Sequence, residues 1–552
     1  MTNAAVRIEA VDHTRLANAL VWGVFALCWF ATIQLRPIFD PDEGRYAEIP
    51  REMWISGDWV TPRLNEVVYF EKPPLQYWTT AAAYAAFGLQ EWTSRAWSFT
   101  LAFLTIPMTS FFASRLHGPA QGLAAAAVLA ISPYFVLIGH LNLLDSAFSF
   151  FLVGAVFAFL LAQREQESSK RERRWMLLAW TAAALAVLSK GIVAPVLAGA
   201  TLIAYSLLTR DWRAWRRLHV TLGLPLFLLI TVPWFWMVSQ RHPQFLQFFF
   251  VHEHLERFTT TIHNRVEPWW YFLPIVLLGV APVINHLWRA LRAAWLAPNR
   301  LGGIHVERFL VIWVVVVVGL FSASGSKLAS YVMPVMPPLA VLLAVVIAAD
   351  PRGPERVRWP VLGTVAIVAL GWVIYAIHRN PDVSPPLIYW AIAAILAAAI
   401  AAVFSRADVG RSLGNWRYAP LAVGSLLAWQ FLQMSYAELK PARTSKALAA
   451  EVRDSIGPDT TIFSVGQYRQ GIPVYLNRTM RVVSYQGELE FELEPRCAAE
   501  CPVTLPAFER EWLHARDAIA FIAPPLFEQL RARGIPGVIV SRDARSVVLR
   551  RL

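Results

Sequence analysis

The chain has 552 residues, 56% of them hydrophobic and 16% charged, with a formal net charge of +12. A soluble domain carries about 25% charged residues, so this composition excludes an ordinary soluble enzyme over most of the length. Positive charge can mark a nucleic-acid partner, but in so apolar a chain it is better explained by basic loops that orient a membrane protein, and no nucleic acid is expected.

A helix rises about 1.5 Å per residue, so crossing a hydrocarbon core about 30 Å thick takes roughly 20 apolar residues. The first such run, Leu16 to Leu35, lacks the cleavage pattern of a signal peptide and is expected to be a retained span with Cys28 packed inside it. After a long loop, 36–94, further spans are expected near 95–114, 119–139, 146–162, 175–188, 191–208, 219–238, 269–289, 308–322, 330–349, 359–377, 386–404 and 418–436, about thirteen in all. The apolar segment Leu75 to Gly88 is only 14 residues long and is expected to lie on the surface rather than cross.

Charge supports that count. With 75–88 on the surface, the arginine-rich loops 163–174, 209–218, 290–307, 350–358 and 405–417 fall on one face, which the positive-inside rule makes cytoplasmic. The opposite face then holds the long loops 36–94 and 239–268 and the tail from about 437. The tail alternates helical stretches (Ser445–Ile456, Pro525–Arg533) with β-branched ones (Thr460–Val465, Met480–Tyr485, Ala518–Ile522, Val538–Ser541, Ser546–Leu549). The expected architecture is therefore an α-helical polytopic membrane domain, 1–436, followed by a small α/β extracytoplasmic domain, 437–552. Cys497 and Cys501 lie in the tail and could pair under oxidising conditions or remain free thiols.

Polar residues gather on the outer face. Asp40, Asp42, Glu43 and Arg45 follow the first span, and Tyr69, Glu71 and Lys72 precede the surface segment. Asp145 sits at the mouth of a span and Lys190 at a tight turn. His252, His254, Glu256 and Arg257 lie in the second long loop, and Lys327 and Tyr331 at another turn. Each has a structural alternative: Asp42 and Asp145 could cap helices, Lys72, Lys190 and Lys327 could snorkel, Arg257 could pair with Glu253, and His252 with Glu256 could bind a metal or form a solvated face. Co-location favours chemistry, because cations are normally scarcer outside. Transfer of a sugar from a lipid phosphate needs cations against the anionic leaving group, a carboxylate base if the acceptor is a hydroxyl, and an apolar groove for the lipid.

The stretches DPDEGRYAEIPREMWISGDWVTPRLN, YFEKPPLQYW, LSKG, FFFVHEHLERF, HNRVEPWWYFLP and SGSKLASYVMP resemble the polyprenyl-phosphate sugar transferases of the C-type glycosyltransferase superfamily, which includes the protein O-mannosyltransferases. Among them they are most similar to the bacterial 4-amino-4-deoxy-L-arabinose lipid A transferases. The resemblance implies an undecaprenyl-phosphate-linked donor, a lipid A phosphate acceptor and inner-membrane placement with the site facing the periplasm. The product would be lipopolysaccharide of lower negative charge, which resists cationic peptides. It also implies Asp42 and Asp145 as catalytic acids and Lys72 and Arg257 as a clamp on the carrier phosphate. Arg45, Tyr69, Lys190 and Tyr331 would line the same pocket. A divalent metal, with zinc favoured, would take Glu71 and His252. Two other functions fit the pattern less well: the same chemistry on another sugar or acceptor, and a lipid flippase, which would need polar residues deep within the spans.

Overall fold

The computed structural model describes residues 18–259, 266–298, 303–350, 352–379, 384–406, 413–439, 443–485 and 504–551. Cys497 and Cys501 lie outside these residues. The chain forms two compact units, one from Met1–Ile33 with Ser98–Leu439 and one from Gln34–Trp97 with Lys440–Leu552.

The first unit is helical. Among the described residues seven helices are long and apolar enough to cross a membrane, or nine if each of two bent pairs counts as one span. The bends interrupt two of the expected spans. Pro119–Ile131 and Pro133–Gly139 meet at 70°, because Ser132 leaves the helical conformation and its Oγ accepts from the Phe135 N–H at 3.2 Å, starting a new helix at Pro133. Phe272–Gly279 and Ala281–Leu296 meet at 83°, where Pro282 cannot donate a backbone hydrogen bond to the turn before it. Asn18–Phe30 and Val193–Thr209 are shorter apolar helices. The core is rich in alanine, including Ala124, Ala125, Ala158, Ala394, Ala398 and Ala401. Without a hydrophobic drive between helices in lipid, close backbone approach through small residues holds them together. At Gly424 an added Cβ would meet the Ala401 Cβ at 2.4 Å, so helices Pro385–Phe404 and Ala419–Leu439 approach more closely there than any larger residue would permit.

Two helices in this unit carry side chains of interest. Leu144–Arg164 places Asp145 in its first turn. Lys170–Lys190 is capped by Ser169, whose Oγ accepts from the Glu172 N–H at 3.1 Å, and Glu172 pairs with Arg217 at 2.7 Å. It stops at Gly191, whose φ of +87° favours glycine. A Cβ there would also strike the His254 ring at 2.4 Å. Lys190 is thereby fixed at the helix end.

In the second unit the first long loop folds with the tail. Helix Asp42–Ser56 precedes a short hairpin of β1 (Arg63–Leu64) and β2 (Val67–Val68), then helix Leu75–Phe87. That last helix, the one expected to lie on the surface, is not among the helices able to cross. It buries Tyr77, Ala81 and Tyr84. The tail supplies β3 (Thr461–Val465), β4 (Arg481–Val483), β5 (Ala518–Ile522), β6 (Val538–Arg542) and β7 (Val547–Arg551), in the order β4-β3-β5-β7-β6. β3 pairs in parallel with β4 and β5, and β7 runs antiparallel to β5 and β6. Phe463, Phe508, Trp512 and Ile522 form its core. Loop and tail are joined by Asp40, which accepts from Ser445 Oγ at 2.5 Å and from the Gly471 N–H at 2.6 Å. Asn65 Nδ2 donates to the Met480 carbonyl at 2.6 Å. Gly44 permits this approach, since a Cβ there would lie 2.6 Å from Asp40 Oδ1 and 2.8 Å from the Gly471 nitrogen.

Candidate active site

The helical unit brings four of the expected residues into one chain of interactions. Lys190 Nζ pairs with Asp145 Oδ1. The same ammonium lies 4.2 Å from the Tyr331 ring centroid and 5.5 Å from that of Phe148, which stabilises a partly desolvated cation through the ring faces. Tyr331 OH accepts from Arg257 Nη2 at 3.3 Å, and Arg257 Nη1 pairs with Glu253 at 2.8 Å. The proposed i+4 pair of Arg257 with Glu253 is therefore present, and together with Tyr331 it fixes the direction of the guanidinium. Lys190 and Asp145 are both mostly buried, at 11% and 10% side-chain exposure, so simple snorkelling does not describe Lys190. Capping does not describe Asp145 either, because Leu143 holds the N-cap position and makes no side-chain cap.

Arg257 follows a π-helical segment, Phe248–Glu256, a wound form that recurs at functional sites. The wider turn lets His254 Nδ1 hydrogen-bond the Phe249 carbonyl at 2.6 Å. His252 Nδ1 lies 2.8 Å from Glu256 Oε2, both half exposed. Phe148 and the π turn escaped the sequence reading. The only available signal for the latter was the run of three phenylalanines before VHEH.

The second unit holds the other candidates. Asp42 opens its helix with Pro41 as N-cap and no side-chain cap, so the capping reading fails here too. It pairs with Arg45 Nη1 at 3.0 Å, its own side chain 42% exposed and that of Arg45 9%. Lys72 Nζ donates to the Glu71 carbonyl at 2.8 Å and lies 3.8 Å from the Glu71 carboxylate. Tyr69 is buried just after the hairpin, its N–H donating to the Pro62 carbonyl at 2.9 Å.

Beneath Asp42 sits an ionic clamp that the sequence did not disclose. The Glu43 carboxylate accepts from both terminal nitrogens of Arg36 at 2.7 Å and from Arg95 Nε and Nη2 at 3.2 and 3.0 Å. The Phe39 N–H adds a further bond at 3.0 Å. Burial alone would raise this carboxyl, but the two guanidiniums outweigh it and hold it well below the usual carboxylate range. Farther along the helix Glu52 shows the reverse. Burial, then the Glu48 carboxylate, push it well above the usual range against the opposing N–H of Glu66. Arg95, an arginine at the edge of an expected span, was the one sequence signal of the clamp.

Zinc sites held by protein use at least three protein ligands. Among the described residues no three His, Cys, Asp or Glu side chains gather into such a group, so no reaction step is derived through a metal.

This multi-pass helical bundle has the C-type glycosyltransferase fold. Residues 24–249 match the family model described as dolichyl-phosphate-mannose-protein mannosyltransferase, and residues 448–551 match the aminoarabinose transferase C-terminal domain. The undecaprenyl phosphate-alpha-4-amino-4-deoxy-L-arabinose arabinosyl transferase of Erwinia tasmaniensis is 32% identical over 60% of each chain. The protein of the same name from Pseudomonas paraeruginosa is 30% identical over 76% of each. The crystal structure of ArnT from Cupriavidus metallidurans bound to undecaprenyl phosphate superposes with a TM-score of 0.85 at 32% identity, covering 97% of this chain and 98% of that one. The match to the Erwinia relative thus spans about three fifths of that protein's length. The chain belongs to the aminoarabinose transferase family.

Proposed function

We propose that this chain transfers 4-amino-4-deoxy-L-arabinose from undecaprenyl phosphate to a phosphate of lipid A, at the periplasmic side of a bacterial inner membrane crossed about thirteen times. The observation that carries the reading is the Asp145–Lys190–Tyr331–Arg257 chain, set in a fold shared with an enzyme solved bound to undecaprenyl phosphate.

The chemistry follows from charge. The bond from the sugar C1 to the carrier phosphate oxygen breaks, and its electron pair leaves with the phosphate. A lipid A phosphate oxygen attacks C1 from the opposite face, so configuration inverts. The leaving phosphate gains negative charge in the transition state, and cations placed beforehand stabilise that charge without reorganising. Arg257, oriented by Glu253 and Tyr331, carries the planar guanidinium suited to two oxygens of one phosphate. Lys72 is assigned the same role by its place in the KPPL motif. An anionic acceptor needs no base, so the half-exposed Asp42 carboxylate serves to orient the acceptor, to face the positive charge that develops on the sugar ring, or to recognise the ammonium of the aminosugar. Asp145 fixes Lys190. Loss of the negative charge masked by the added ammonium is the benefit to the cell against cationic peptides. The expected divalent ion with Glu71 and His252 as ligands remains a proposal apart from these steps; metal analysis of purified protein carrying E71A or H252A tests it.

Mass spectrometry of lipid A from cells with and without the chain tests the function. An added aminopentose is expected only where the chain is present. The same lipid A with the carrier-linked sugar consumed elsewhere would favour another acceptor.

A further inference from the structure

At the end of helix Val193–Thr209 opposite Lys190's turn, the helical unit holds a second cationic site that the transfer chemistry does not use. A cavity of about 560 Å³ is lined by Thr209, Arg210, Asp211, Trp212, Arg213, Arg216, His305 and Arg308. Four arginines thus face one carboxylate, and that carboxylate is already taken: Asp211 accepts from Arg213 Nε at 3.0 Å and Nη2 at 2.9 Å. Arg213 also reaches the Gly303 carbonyl at 3.4 Å. Arg308 Nε donates to the Trp295 carbonyl at 2.8 Å, and Tyr205 OH accepts from the His305 N–H at 2.8 Å. These bonds fix the walls. Arg210 and Arg216, both exposed, bring two more positive charges to the cavity.

The surroundings say what would bring a counter-charge. Val196, Ile203 and Leu207 are 47%, 46% and 62% exposed and recur at spacings of seven and four residues, so they form one bare apolar face of the helix that ends at Arg210. In a membrane-spanning unit such a face lies against acyl chains. Trp212, 52% exposed and stacked on Trp215 at 6.0 Å, stands where the apolar face gives way to the arginines, the depth that tryptophan favours at a bilayer interface. An arginine cavity below a lipid-facing helix matches a phospholipid headgroup: the guanidiniums take the phosphate oxygens in pairs, and the acyl chain follows the apolar face.

We propose that the cavity formed by Arg210, Arg213, Arg216 and Arg308 binds the phosphate headgroup of an anionic phospholipid of the leaflet it faces, with the acyl chain along Val196, Ile203 and Leu207. The site is separate from the sugar-transfer residues and binds lipid as a structural ligand.

Native mass spectrometry of the full-length protein in detergent, titrated with phosphatidylglycerol or with zwitterionic phosphatidylcholine, tests this. Phosphatidylglycerol is expected to remain bound where phosphatidylcholine does not. The double variant R210Q/R216Q should weaken its apparent affinity by about tenfold or more, since each basic residue near an anionic lipid contributes about 1 kcal/mol. The control R356Q, at another exposed arginine already paired with Asp350 at 2.5 Å, should leave it unchanged. Should the double variant not be recovered folded, R210Q and R216Q singly are expected to weaken binding about fivefold each. Equal retention of both lipids, unchanged affinity in the variants, or displacement by millimolar inorganic phosphate would each overturn the proposal.

Discussion

Replacing Glu43 by Gln perturbs the clamp that holds the start of helix Asp42–Ser56. The substitution keeps the shape but removes the charge that two guanidiniums share. Arg36, Glu43 and Arg95 have side-chain exposures of 4%, 3% and 1%, so water cannot take over the lost interaction. One amide oxygen cannot accept the four guanidinium bonds between 2.7 and 3.2 Å that the carboxylate receives, and the amide NH2 turns donors toward donors. Removing one partner of a buried ion pair costs about 3–5 kcal/mol, roughly a fifth or more of the 5–15 kcal/mol that typically holds a domain together. Thermal and denaturant unfolding of the detergent-purified protein would read this directly, with lipid A modification as the functional readout. The pH dependence is a second check. The Glu43 carboxyl is held below its unfolded value, so its contribution is fully present above the ordinary carboxylate range. It is lost progressively as pH falls from the unfolded value toward the depressed folded one. The wild type should therefore keep its full advantage over E43Q from neutral pH down to about pH 5 and lose it steadily below about pH 4. A variant within about 1 kcal/mol of wild type at neutral pH would refute the clamp as a stabilising element.

Three further outcomes are expected. D42N should abolish aminoarabinose transfer in a lipid A mass-spectrometric assay while protein level and membrane insertion stay at wild type, since Asp42 is half-exposed and its pair with Arg45 is a partly solvated one; retained turnover counts against its role. K72A should weaken undecaprenyl phosphate binding about tenfold or more, consistent with loss of one charge-assisted hydrogen bond of about 1.5–3 kcal/mol, and equal affinity in a direct binding titration would dismiss it. E52Q should be tolerated at neutral pH to within about 1 kcal/mol, because burial and Glu48 already favour the protonated carboxyl. A raised acid loses native stability as pH climbs from the unfolded value of about 4.3 toward the folded one, so E52Q should remove that part of the pH dependence; a profile identical to wild type would refute it.

Much of this protein can be read along the chain because hydropathy is a local property. Apolar runs near 20 residues announce a membrane bundle without reference to any partner, and the short run Leu75 to Gly88 is set apart by its length together with the charge of the arginine-rich loops. The strands of the tail show in its β-branched stretches. Asp42, Asp145, Lys190 and Arg257 stood out because charged residues beside spans need a reason. Their family motifs supplied roles that spacing could not.

Other features depend on partners far away in sequence, and no local pattern names them. Arg36 and Arg95 reach Glu43 across 7 and 52 residues, and Asp40 meets Ser445 across 405. Nothing in the composition of either segment selects that pairing over the many others open to a buried acid. The breaks at Ser132 and before Ala281 turn expected straight spans into bent ones, because a proline and a capping serine decide helix direction only once neighbouring helices satisfy the freed backbone groups. Whether Asp42 and Asp145 capped their helices was likewise undecided by sequence, since a cap and an ion pair call for the same residue in the same place. Lys190, brought to Asp145 by the fold, settled that in favour of an ion pair, while Asp42 pairs locally with Arg45 one turn along the same helix.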